Sequence, residues 1–268
     1  MSGALAARLA ELDWAAIERE LDAQGCARLP GVFSHDLCRE LAALYPQDAH
    51  FRSRIVMAKH GFGRGEYRYF AYPLPPPVAE ARGLMYARLA PVANRWNALL
   101  GLTARYPAEH EVYLAECHRA GQRRPTPLLL RYETGDYNCL HQDLYGERVF
   151  PLQVAFLLSA PERDFTGGEF VLTEQRPRMQ SRPEVVPLQQ GDAVVFAVHH
   201  RPVAGVKGYY RVNLRHGVSR IRTGQRHTLG GNLSRRAIAC APAGWRSAAR
   251  CGCRRRRFCA VGRRLRCI

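Results

Sequence analysis

The 268-residue chain has no stretch of about 18 consecutive apolar residues, the length a helix needs to span a bilayer. Its opening segment, MSGALAARLAELDWAAIERE, places acids where a secretory signal would hold an apolar run. These absences predict a cytoplasmic protein with no membrane partner. No internal repeat is found, and no paired CxxC knuckle of a zinc module occurs. Acids are missing altogether from the last 38 residues, where eleven arginines fall. The formal net charge of +17 is therefore mostly a property of that tail, because residues 1–230 carry 29 basic against 23 acidic residues. Five of the nine cysteines (Cys240, Cys251, Cys253, Cys259, Cys267) lie there too. The remaining four, scattered through the body, predict a reduced compartment.

At 47% hydrophobic residues, the chain can bury one sizeable core. Trp14, Ile17 and Leu21 recur at helical spacing, Ser34-His35-Asp36 caps a second helix carrying Leu37, Leu41 and Leu44, and a third is predicted over Pro76 to Leu100. From Thr126 the pattern becomes short β-type runs broken by glycine and proline: 128–132, 150–158, 169–172, 193–198, 209–214, and one beginning near Arg226. The expected fold is α+β. A jelly-roll core over residues 126–230 is covered by a helical layer from residues 1–125 of the same domain.

The stretch RYETGDYNCLHQD presents His141 and Asp143 two residues apart. Alternation on a strand would put both side chains on one face, able to meet one ion. His-x-Asp alone is a weak signal. A facial triad of two histidines and one carboxylate needs a second histidine from a distant strand. His199, His200 and His216 compete for that role.

With these residues the chain resembles the 2-oxoglutarate and iron(II)-dependent dioxygenases, in the branch that includes prolyl 4-hydroxylase-like enzymes. In that branch the distal histidine is followed by apolar residues at +2 and +5, glycine at +8 and a basic residue at +10. From His216 those places hold Val218, Ile221, Gly224 and Arg226, whereas from His200 they hold Pro202, Gly205, Gly208 and Tyr210. The resemblance implies a double-stranded β-helix with His141, Asp143 and His216 as metal ligands. It also implies Arg226 as a two-pronged partner for the distal carboxylate of 2-oxoglutarate, and Tyr132 near the co-substrate. FTGGEF and Gly191-Asp192 match turns of the same enzymes. An extra hairpin, HHRPVAGVKGYYR, keeps His199 and His200 as rivals. The blocks HGFGRGEYRYF, RPTPLLLRY, YNCLHQDLYG, GGEFVLTEQRPRMQSR and YRVNLRHGVSR look, further, like a bacterial family of such oxygenases labelled as acting on methylated, damaged DNA.

The cofactors so implied are iron(II), 2-oxoglutarate and dioxygen, and the resemblance admits ascorbate. The expected reaction is hydroxylation of a C–H bond with release of succinate and CO2, methylated DNA or RNA being the favoured macromolecular partner. The alternatives are a prolyl or other amino-acid hydroxylase and a catalytically silent jelly-roll that binds nucleic acid. Oligomeric state is not read from the sequence. Basic and aromatic residues interleave in KHGFGRGEYRYFAY, which suits phosphate tracking and base stacking or equally a half-buried strand. Residues 231–268 have the composition of a disordered or frameshifted tail, with the break expected near Leu229–Gly231. Such a break would remove half of the closing strand, expose an edge and inactivate this copy.

Overall fold

The computed structural model describes residues 2–144 and 149–233, all within one compact unit. Two helices, α1 (Ser2–Glu11) and α2 (Trp14–Gln24), lead to β1 (Cys26–Leu29) and α3 (His35–Ala43). Strands β2 (Phe51–Val56), β3 (Gly63–Arg64) and β4 (Glu66–Phe70) precede the long α4 (Pro76–Leu99) and α5 (His110–Arg119). Ten strands follow: β5 (Leu128–Glu133), β6 (Tyr137–His141), β7 (Leu152–Leu157), β8 (Phe165–Gly167), β9 (Phe170–Gln175), β10 (Arg182–Val186), β11 (Ala193–Ala197), β12 (His200–Gly205), β13 (Gly208–Val218) and β14 (Ile221–Asn232).

Local chemistry explains most of the boundaries. Asp13 caps α2 by accepting from Ala16 N at 2.9 Å, and Gly25 ends that helix in the left-handed region. Ser34 caps α3 as expected, accepting from Leu37 N. Pro76 opens α4, where a missing N–H costs nothing, and the helix buries Val78, Met85, Leu89, Val92 and Trp96 along one side. The third helix thus falls where its apolar spacing placed it.

The strands form two antiparallel sheets. The larger runs β1-β11-β7-β14-β5-β4-β2, with β8 on the first half of β14, and the smaller runs β10-β9-β13-β6-β3, with β12 on β13. Helix α4 packs on β7 and β14 from outside. Outward residues such as Leu129 and Leu229 are consequently buried, and the inward ones face the second sheet. This is the jelly-roll architecture anticipated for 126–230. The preceding region is less purely helical than expected, because FRSRIV and EYRYF add β2 and β4 to the larger sheet and Gly63–Arg64 adds β3 to the smaller.

Asp192 ties the β1 loop to the turn before β11, accepting from Arg28 Nε and Gly31 N at 2.8 Å and from Gln189 N at 2.7 Å. Gly191 beside it has φ 90°, and any Cβ there would meet Phe33 O at 2.3 Å. Glycine is required at that turn.

The run beginning near Arg226 belongs to a strand that continues through Leu229–Gly231 to Asn232. β14 is twelve residues long and sits inside the sheet, paired with β5 as far as Gly230 and with β7 as far as Asn232. Its apolar partners under α4 hold it there, and Leu233 just beyond is fully buried. The remaining tail, with its five cysteines and eleven arginines, lies outside the described residues.

Candidate metal centre

His216 lies on β13 and His141 at the end of β6, and the two are direct cross-strand partners, with ring centroids 4.2 Å apart. Asp143 sits two residues past the end of β6, so strand alternation does not place it as the sequence suggested. Side-chain bonds do instead: Gln142 Nε2 donates to Leu214 O at 2.8 Å, and Gln153 Nε2 donates to Asp143 Oδ2 at 3.1 Å. The carboxylate consequently lies between the imidazoles, with Oδ1 3.6 Å from His141 Nε2 and Oδ2 3.6 Å from His216 Nε2. One ligand atom from each residue falls within 4.8 Å of the other two. Among the described residues this is the one cluster of three or more such groups. The His199 and His200 rings lie tilted against each other at the start of β12 and do not join it.

The donor set fits a transition metal. Two neutral imidazoles and one carboxylate on one side of an ion leave other positions free. His141 Nδ1 lies 2.8 Å from Cys139 O, a contact that fixes this nitrogen as the protonated one and turns Nε2 toward Asp143. Burial keeps the His216 pKa down, which favours the neutral, ligating form. Burial works against the charge on Asp143, but His216, His141 and Gln153 outweigh it and hold the carboxyl well below its usual range. Phe196 and Phe170 wall the His216 ring, with centroids at 4.5 and 6.2 Å.

A cavity of about 300 Å³ connects this cluster to Arg226 and Tyr132. Arg226 on β14 is 2% exposed, donates through Nη1 to Thr228 Oγ1 at 2.6 Å, and leaves Nε without a partner. It makes no ion pair among the described residues. Burial pushes its pKa down to about 10, opposed by Tyr132 and Glu169. Tyr132, its cross-strand partner, is fully buried beside Asn138, and that burial raises its pKa. Gly168 makes room for the guanidinium stem: its φ is 66°, and a Cβ there would come within 2.3 Å of Ile221 Cδ1 and 3.1 Å of Arg226 Cδ.

His141, Asp143, His216, Arg226 and Tyr132 therefore all open on one cavity, and the rivals His199 and His200 do not line it. Sequence reasoning missed Gln153 and Thr228. Gln153 could have been noticed as the one polar side chain in LQVAFL, and Thr228 as the residue two places beyond Arg226 on a strand. The KHGFGRGEYRYFAY segment divides: Phe62, Tyr67 and Tyr69 line the cavity, while Arg68 turns to Asp48 on the outside.

Residues 65–233 match the family model described as "Oxygenase, catalysing oxidative methylation of damaged DNA". Uncharacterised proteins from two strains of Mycobacterium tuberculosis are 49% identical over 161 residues, which is 60% of this chain and 69% of theirs. A Pseudomonas putida prolyl-4-hydroxylase shares the fold at TM-score 0.52 and 16% identity, over 84% of this chain and 100% of that one. So does a 2OG-Fe(II) oxygenase family oxidoreductase from Burkholderia pseudomallei, at TM-score 0.50 and 20% identity, over 85% and 94%. With this fold, this cluster and a match spanning most of the chain, the protein is an enzyme belonging to that oxygenase family.

Proposed function

We propose that this oxygenase uses iron(II) and 2-oxoglutarate, with His141, Asp143 and His216 holding the metal, Arg226 and Thr228 holding the distal carboxylate of the co-substrate, and Tyr132 beside it. The observation that carries the reading is the Arg226 guanidinium, a buried cation without a carboxylate, opening on the same cavity as the triad. A buried charge left unpaired is costly, so the site is built for an anion that arrives from outside. A guanidinium fork suits a carboxylate.

The chemistry supplied by the bound group is oxidation of a substrate C–H by dioxygen, coupled to conversion of 2-oxoglutarate to succinate and CO2. This chain's own residues orient and exclude. Phe170, Phe196 and Val218 keep water from the reacting centre, and the His141 and His216 rings are held by Cys139 O and the phenylalanine pair.

The favoured substrate is a methylated nucleic-acid base. Tyr67, Tyr69, Leu128 and Leu130 give the cavity flat apolar walls suited to a planar ring, and the family description names damaged DNA. Hydroxylation of an N-methyl group yields a product that collapses with release of formaldehyde. The test is succinate formation that requires both iron and 2-oxoglutarate, followed by formaldehyde release from methylated oligonucleotides. Succinate formation without formaldehyde on any methylated strand would end the demethylation reading and direct attention to side-chain hydroxylation.

A further inference from the structure

All six residues of β7 are buried, and five of them are apolar. Gln153 is the exception, at 5% exposed. A buried amide is costly unless its hydrogen bonds are replaced, and here the replacement is the bond to Asp143 Oδ2. Asp143 needs such a partner, because it stands beyond the end of β6 where no sheet ladder fixes it. The carboxylate torsion of an aspartate is soft, so the plane of the group turns readily unless something holds it.

The neighbouring strand supports this role. Gln153 is the cross-strand partner of Phe196 on β11, and the Phe196 ring lies against His216. One rung of the larger sheet thus reaches across the cavity and steadies two members of the triad that the smaller sheet supplies. His141 needs no such help, since its Nδ1 already meets Cys139 O.

We propose that Gln153 is the positioning residue of the metal centre: its amide engages Asp143 Oδ2 and thereby commits Oδ1 to the ion. The inference rests on the triad's being the metal site. A carboxylate held by one oxygen occupies one coordination position, whereas a freely turning one can occupy two and take a place that the co-substrate needs.

The experiment uses the full chain with Mn(II) and Co(II) as probes. Gln153→Met keeps the size of the side chain and removes the donor, and Gln153→Leu removes the donor with a different shape. Both variants are expected to bind Mn(II) about 10–100-fold more weakly than the parent, with the metal-free melting temperature of Gln153→Met held or raised. The Co(II) visible spectrum should shift toward that of a higher coordination number in Gln153→Met, a change that a packing role alone would not produce. Should the Met variant fail to fold, the Leu variant carries the same measurement. Mn(II) affinity within twofold of the parent in a folded variant overturns the proposal. His216→Ala is measured alongside. If it loses Mn(II) while Gln153→Met keeps it, only the positioning role falls; if it also keeps Mn(II), the triad reading falls as well.

Discussion

Replacing Arg226 with methionine removes a cation that the fold buries without an acid beside it. Because desolvating an ion costs on the order of a few kcal/mol, the metal-free Arg226→Met protein should melt no lower than the parent. The thermal stabilisation produced by added 2-oxoglutarate should disappear. A differential scan with and without the co-substrate reads both, and a variant that is still protected would remove Arg226 from the anion site. The histidines separate in a similar way. His216→Ala should abolish metal binding, while His199→Ala and His200→Ala, at the start of an exposed hairpin away from the cluster, should leave it intact. Loss of metal in either of the latter would reverse the assignment. Gln153 shows how far single residues could be read from the chain. It is conspicuous as a polar letter in an apolar strand, but only the fold reveals that its partner is Asp143, ten positions earlier and past the end of β6.

His227 belongs to the outer face of β14, where its ring meets Tyr45 edge-on at 5.8 Å. Burial, with Arg131 adding to it, pushes its pKa down to about 4, and burial beside His199 does the same to His200 on β12. In the unfolded chain both titrate near ~6.5. As pH falls below that value the unfolded state takes up protons that the folded state refuses, so stability should decline from about 6.5 down to about 4 and be complete above this window. His227→Phe should flatten part of that slope in urea titrations run across the range, and an unchanged slope would contradict the burial argument. Elements differed in how openly the sequence announced them. α4 was legible because a wide apolar stripe repeats over 24 residues. α5 was missed because only Tyr113 and Cys117 are buried along it, too narrow a stripe to see. β6 was anticipated as a strand carrying His141 and Asp143, but its end at His141 was not legible because its burial hardly alternates, its residues being spent on the site and the rim. β2 was hidden by Arg52 and Arg54, whose heads pair with Pro125 O and Glu66 outside the core.

At the scale of the molecule, every residue placed in the site precedes Leu233, and Arg82 of α4 donates to Leu233 O at 3.3 Å. A chain ended after residue 238 should therefore keep the parent's Mn(II) affinity and its protection by 2-oxoglutarate. A chain ended after Leu229 should not fold, because it loses the last rungs to β7 and the buried Leu233. Circular dichroism and metal titration of the two truncations check this, and a folded 1–229 protein would show those rungs to be dispensable.

The strand order has a further consequence, in time rather than in space. β14 lies between β5 and β7, which leave the ribosome well before it, so the larger sheet is held open by a gap that no earlier segment fills. Insertion of that last strand is therefore the step that closes the larger sheet, and the same step brings Arg226 beside Tyr132.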